Sequence, residues 1–382
     1  MRCPQCDHDV PALDYCVRCG FPLGVDAHDV PRRRASRARF AAAPNEHAWA
    51  PHVVSTLFPQ LARADMAYFS VATLLGLGVV TALAFARLFP AALTAACVLV
   101  PLLVVLYLFA VDIYEDEPLR VVAFSAAAGA FVGVVLGLLL QHVDGVVRTP
   151  GLEAFRDSGV VWRVVVFPLV GGAGALAGPL VLLRYRRFND VLDGATFGAT
   201  AAVALAGAQT LVQAWPLTSG GVRPNGQVVP WLVRLFEISM LVPLVWAGAI
   251  GAAAAALWLR YRAPVRDRGA LGPLGSPVVA LVVAAVLLVA APAGLHALDR
   301  NVALVWLLAL AAVAVLLLRR VIHLGLVEEA DEIEIGPEIV CGNCRRSTPR
   351  HTFCGRCGIA LRALPKVKPS AAPAASDAGA AS

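Results

Sequence analysis

Eight apolar runs dictate what this chain can become. They cover residues 66–86, 88–111, 121–140, 164–183, 194–215, 238–259, 276–295 and 301–318. At 1.5 Å of rise per residue, about 18 to 20 apolar residues cross the ~30 Å hydrocarbon layer of a bilayer as one helix. A soluble fold would have to bury eight such segments from every side, and the overall balance of 59% hydrophobic against 15% charged residues leaves little to cover them with. The fold class expected is an all-α polytopic membrane bundle of about eight transmembrane helices. The chain opens on a cysteine cluster, not on a basic stretch followed by an apolar core, so the first span is expected to act as its own insertion signal.

The formal charge of +6 is spread over loops and does not form one nucleic-acid-binding patch. Arginines 32, 33, 34, 37, 39, 63, 120, 184, 186, 187, 260, 262, 266, 268, 319 and 320 fall on the side shared by both termini, 16 against 7 on the other side (87, 148, 156, 163, 223, 234 and 300). The positive-inside rule therefore places both termini in the cytoplasm of a plasma-membrane protein, as an even number of spans requires.

Each end carries a cysteine pattern of its own. Cys3-Pro-Gln-Cys6 is followed after nine residues by Cys16-Val-Arg-Cys19-Gly20, and Cys341-Gly-Asn-Cys344 after nine residues by Cys354-Gly-Arg-Cys357-Gly358. Paired Cys-x-x-Cys knuckles bring four thiolates to a tetrahedral site that suits Zn²⁺, and the glycine after the last cysteine permits the tight turn beneath the sulfurs. Disulfides are disfavoured on the reducing side of the membrane, and a redox dithiol has no use for a second pair at equal spacing. Both stretches resemble small zinc ribbons, which implies two structural zinc ions held by Cys3, Cys6, Cys16 and Cys19 and by Cys341, Cys344, Cys354 and Cys357. His8, His28 and His351 are then bystanders, and Cys97, inside the second span, is a small core residue. With both termini on one side, the two ribbons are close enough to pack together.

The domain plan follows. Residues 1–24 form the first ribbon. Residues 25–65 are a basic linker, ending either in a short interfacial helix through Trp49, Val53, Leu57, Phe58 and Leu61 or in an irregular juxtamembrane segment. The membrane domain takes 66–325, an acidic connector 326–340, the second ribbon 341–362, and an Ala/Pro/Ser-rich tail 363–382 that cannot bury a core.

Within the spans, Gly129, Gly133 and Gly137 recur every fourth residue and make a smooth ridge of the kind that lets membrane helices approach closely. Gly171, Gly172, Gly174 and Gly178 continue the theme in the fourth span, and Gly194 and Gly198 in the fifth. Arg163 is placed to snorkel to the interface; Arg234 and Glu237 are three apart and can pair.

One stretch has a familiar order. Phe167-Pro-Leu-Val-Gly171-Gly172-Ala-Gly-Ala175 precedes a basic turn and an Asp193-Gly194-Ala-Thr-Phe-Gly198 helix that reaches Gln209, and upstream Asp112-Ile-Tyr114-Glu-Asp-Glu117-Pro118 makes an acidic turn. This resembles the PrsW-type intramembrane metallopeptidases over about residues 105–300. In that family a Pro-x-x-Glu-Glu-x-x-Lys helix precedes an Asp-Gly-x-x-x-Gly helix carrying a further Glu, followed by later histidines. The chemistry is missing here: Gly171, Gly172 and Ala175 stand at the Glu-Glu and Lys positions, Gln209 at the later Glu and Val242 at a His, while His296 alone matches. A zinc peptidase needs metal ligands and a carboxylate to take a proton from bound water. The resemblance therefore implies a non-catalytic member that displays zinc ribbons in the cytoplasm to bind or regulate a partner, a protein or a nucleic acid, with no catalytic residues. Asp112 and Glu117 are read as capping the helix that Pro118 starts, and Asp193 as capping the helix of the fifth span. An active peptidase with non-standard residues is the alternative. A transporter is a second alternative, weakened by span interiors almost without charge.

Overall fold

The computed structural model describes residues 1–4, 8–23, 39–40, 42–57, 63–110, 119–147, 159–186, 188–219, 228–263, 272–329 and 335–361. The expected acidic turn at 112–118, about half of the linker with His28, Phe58 and Leu61, Cys6 and the C-terminal tail lie outside them.

Among the described residues, eight helices are long and apolar enough to cross a membrane. The chain order begins with strands β1 (Arg39–Phe40) and β2 (Ala43–His47) and the short helix α1 (Val53–Leu57). The spans are α2 (Arg63–Phe85), α3 (Phe89–Ala110), α4 (Leu119–Val147), α5 (Phe167–Leu182) and α6 (Val191–Ser219), then α7 (Val228–Phe236) running on into α8 (Val242–Tyr261), and finally α9 (Pro277–Ala297) and α10 (Arg300–Glu329). Strands β3 (Glu338–Val340) and β4 (Ser347–Pro349) follow. Two spans contain a π-helical turn, Trp162–Val166 leading into α5 and Glu237–Leu241 joining α7 to α8.

Helices α6 and α8 form the centre: 78% and 83% of their spans are buried, against 17% for α2 at the rim. Residues 252–256 of α8 are five consecutive alanines, all fully buried, so backbones rather than bulky side chains meet there. The expected glycine ridge of α4 lies on α6. A Cβ at Gly129 would sit 2.0 Å from the Ala201 carbonyl oxygen, one at Gly133 2.4 Å from that of Leu205, and one at Gly137 2.8 Å from Val212. Nearer the start of α6, Gly194 and Gly198 admit Trp258 and Ala254 of α8. Lipid tails are as apolar as leucine, so cohesion here comes from close packing and not from the hydrophobic effect. Polar ties add to it; the Gln141 amide of α4 donates to the Val212 carbonyl of α6.

Two regions differ from expectation. The stretch expected as linker folds in part: β1 and β2 pair antiparallel and α1 follows. Its anchor is Arg319, expected in a loop after the last span. Helix α10 continues eleven residues beyond Leu318 and carries Arg319 into the interior at 0% exposure. The guanidinium donates to Glu46 Oε2 at 2.8 Å, Ser55 Oγ at 2.9 Å, Thr56 Oγ1 at 3.0 Å and the His47 carbonyl at 3.3 Å, and lies 3.8 Å above the Phe40 ring. A buried arginine is tolerated when its planar fork of donors finds this many partners. Arg320 next to it covers Trp49 at 4.5 Å. The acidic connector shortens accordingly, because α10 occupies its start and β3 its end.

Asp193 lies within the first turn of α6, which begins at Val191. Its carboxylate accepts from the Asp190 N–H at 3.2 Å while the Asp193 N–H donates back to the Asp190 carbonyl. The carboxylate thus caps the start of α6 from the third helical position, one half of a capping box.

Candidate metal centres and a cavity in the bundle

Each ribbon is built from knuckles in which an N–H five residues from its acceptor closes a loop around the sulfurs. Cys3, Cys16, Cys341 and Cys354 donate their backbone N–H to the carbonyls of His8, Phe21, Arg346 and Ile359, at 2.9, 2.7, 3.0 and 2.8 Å. The residue after the second cysteine must turn left-handed to close that loop. Gly20 and Gly358 do so at φ of 68° and 72°, and Arg345, in the same place after Cys344, is held at 57°.

These turns converge the thiols. In the C-terminal ribbon Cys341, Cys344, Cys354 and Cys357 all place a sulfur within 4.8 Å of one another; in the N-terminal ribbon Cys3, Cys16 and Cys19 do the same, and the expected fourth ligand, Cys6, is outside the described residues. Measured separations are 3.7 Å for Cys3–Cys19, 3.9 Å for Cys341–Cys357 and 3.8 Å for Cys344–Cys354. A disulfide would bring two sulfurs to about 2.05 Å. A tetrahedron with metal–sulfur bonds of about 2.3 Å has edges of about 3.8 Å, so both clusters could hold a metal ion. Arg356 N–H and the Asn343 amide donate to the sulfurs of Cys354 and Cys357 at 3.4 and 3.5 Å. Thiol hydrogen bonds from Cys341 and Cys357 hold Cys354 far below the ordinary thiol range, and the Cys354 contact raises Cys341 correspondingly.

The two ribbons pack against each other, and they do so reciprocally. Tyr15 N–H donates to the Gly355 carbonyl and Phe353 N–H to the Val17 carbonyl, both at 2.9 Å. Tyr15 and Phe353 each precede the third cysteine of their ribbon; Val17 and Gly355 each follow it. The side chains obey the same exchange. Gly20 leaves room for Phe353 and Gly358 for Tyr15, with would-be Cβ atoms 3.1 and 2.8 Å from the facing rings. One operation thus relates the two halves, the arrangement of a two-fold dimer made within a single chain. His351, expected as a bystander, is buried in this seam with Nδ1 2.8 Å from the Val17 carbonyl. It belongs to neither sulfur cluster. Phe353 and Ala360 join the same buried cluster as the bundle, so the C-terminal ribbon is seated on the helices.

The positions singled out by the family resemblance separate into two groups. Gly171 and Gly172 are buried in α5, and side chains there would run into Trp246 and Leu288, each 2.8 Å from the Cβ position; Ala175 is fully buried. Gln209, Val242 and His296 instead line a cavity of about 400 Å³, whose wall includes that same Trp246 and Leu288. Arg163, expected to snorkel, stands half-buried in the cavity wall, and His296, the one position that matches a histidine of the family, is exposed near the end of α9. Arg234 also lines the cavity and pairs with Glu237 at 3.0 Å, as its spacing suggested. Among the described residues, the two cysteine clusters are the only groups of three or more His, Cys, Asp or Glu side chains close enough to share an ion. The packing of the ribbons was foreshadowed by termini expected on one side, whereas the cavity had no signal in the sequence beyond the residues themselves, because it depends on which helices become neighbours.

No family model, curated protein or solved structure matches this chain.

Proposed function

We propose that this is a non-catalytic, PrsW-like integral membrane protein whose paired zinc ribbons form one cytoplasmic docking module that binds or regulates a protein partner. Each ribbon would hold one Zn²⁺, the first through Cys3, Cys6, Cys16 and Cys19 and the second through Cys341, Cys344, Cys354 and Cys357. The ion would supply the folding energy of a module that has little apolar core of its own. The observation that carries the reading is the reciprocal seam between the ribbons. It joins sequence segments more than 300 residues apart into one rigid platform, whereas loosely tethered modules would need no such complementarity.

The packing of α5 supports the non-catalytic half of the reading. Trp246 and Leu288 press against Gly171 and Gly172, so the bundle is built around the absence of carboxylates at the two positions where a peptidase of this kind would need them.

The test is to delete both ribbons, purify the membrane core and measure bound zinc, beside the intact protein. The reading expects two zinc ions per intact chain and none in the core. A stoichiometric metal in the core, lost on His296→Ala, would overturn the non-catalytic assignment in favour of an active metallopeptidase.

A further inference from the structure

The cavity in the bundle lies among five spans. Its polar wall is Gln141 from α4, Arg163 from the π-helical turn before α5, Gln209 and Gln213 from α6, Arg234 from α7 and His296 from the end of α9. Its apolar wall includes Phe167, Trp246, Leu288 and Leu295. Charged and amide side chains within membrane spans are costly and tend to face cavities that have a use for them. Gathering two guanidinium groups and three primary amides, from four separate spans, at one apolar-backed cavity is therefore informative. Among the described residues no carboxylate lines it; Glu237 pairs with Arg234 but is not part of the wall.

Two features add to this. Gln209 and Gln213 are four apart, so both amides project from the same face of α6. Among the described residues, both π-helical turns border the cavity, one through Arg163 and Val164 and the other through Ile238. A π turn shifts the register of a helix by one residue and commonly marks a site where side chains have been re-aimed at a ligand.

We propose that this cavity binds an anionic amphiphile. The oxyanionic head, a phosphate or carboxylate, is held by Arg163 and Arg234 with help from the Gln209 and Gln213 amides, and an apolar chain lies against Phe167, Trp246 and Leu288. Guanidinium groups bind such oxygens through charge-assisted hydrogen bonds, and amides accept the remaining geometry without adding charge. The volume sits at the lower end of the range for small-molecule sites, which suits one head group and part of one chain. The site is independent of the ribbons and of their metal.

The probe is octyl phosphate, titrated into the full-length protein in phosphatidylcholine nanodiscs while thermal unfolding is followed. A saturable rise in Tm is expected, with no comparable rise from inorganic phosphate or octanol at the same concentrations. Arg163→Gln should weaken the apparent affinity at least tenfold. Gln213→Glu, at an exposed position where folding is not at stake, should do the same by placing a carboxylate at the cavity, while Arg184→Gln outside the cavity should change nothing. Repeating the titration in phosphatidylglycerol discs separates two sources of the anion. Loss of the shift there identifies a membrane lipid as the occupant, and its persistence identifies an amphiphile delivered from solution. The proposal is overturned if octyl phosphate gives no saturable shift, if inorganic phosphate or octanol alone reproduces it, or if Arg163→Gln and Gln213→Glu respond as the parent does.

Discussion

Replacing Gly358 with alanine tests whether the ribbon seam is closed in the working protein. Two costs are expected. The backbone at Gly358 is left-handed, at φ 72°, a conformation that costs an L-residue about 1–2 kcal/mol. The new methyl would also stand 2.8 Å from Cδ1 of Tyr15 in the other ribbon, well inside the ~3.5–4.0 Å at which carbon atoms attract. Tyr15 cannot withdraw freely, because its own N–H is bound to the Gly355 carbonyl at 2.9 Å. Overpacking of this kind adds about 1–3 kcal/mol. Only the second cost depends on the seam. Tyr15→Ala removes the obstruction and leaves the backbone strain, so Gly358→Ala should be milder by about 1 kcal/mol or more when made on that background. The assay is zinc transfer from the full-length protein to a competing chelator, scored by the chelator concentration at half-release for each single variant and for the pair. Gly358→Ala should loosen metal in both ribbons, since it pushes on the partner as well as on its own turn. Strictly additive effects, with metal loss confined to the C-terminal ribbon, would show that the ribbons do not meet in solution.

Other expectations follow from the same contacts. Cys16→Ser should remove one of two zinc ions by elemental analysis; the site contributes on the order of 10 kcal/mol to its module, and because the seam couples the modules the second ion should become easier to extract. Arg319→Ala should lower the thermal midpoint sharply, by the equivalent of about 3–5 kcal/mol, since it leaves Glu46 without the partner that holds the hairpin to α10; an unchanged midpoint would remove that anchor from the account. Gly129→Ala should disrupt the bundle more than Gly172→Ala does, as judged by detergent-resistant folding, because the first methyl meets the backbone of α6 and the second only the end of the Leu288 side chain. Reporter fusions after Arg187 and Arg268 should read as cytoplasmic and those near Arg156 and Arg223 as external; an external signal from either terminus would refute the topology.

What the sequence disclosed and what it hid divide along physical lines. Span number was legible because crossing a bilayer needs a minimum run of apolar residues, and that requirement is local. The ridge at Gly129, Gly133 and Gly137 was legible for a related reason: a four-residue period states which face must be smooth, although not that α6 would be the neighbour. The end of α10 was not legible. Two consecutive arginines after Leu318 look like a loop, and they stay helical because Glu46, Ser55, Thr56 and Phe40, more than 260 residues earlier, provide a buried arginine with partners. Nor does Ala-Pro-Asn-Glu-His at 43–47 carry β-propensity; that strand exists because Arg319 holds its Glu46 and His47 in place.

The candidate sites follow the same division. Cysteine spacing encodes a metal cluster because four ligands of two knuckles must meet within one short segment, and no distant residue has to cooperate. The glycine after Cys19 and Cys357 seemed to serve only the knuckle turn, yet each has a second duty across the seam, admitting an aromatic ring from the opposite ribbon. That double use explains why the corresponding place after Cys344 can be Arg345: the turn alone tolerates a side chain in the left-handed region at some cost, while the seam does not tolerate the Cβ. A reading confined to one ribbon sees equal turns. The pairing of the two makes Gly20 and Gly358 different from Arg345, and it predicts that glycine at position 345 would stabilise its knuckle by about 1 kcal/mol, whereas alanine at 20 or 358 would cost the platform itself.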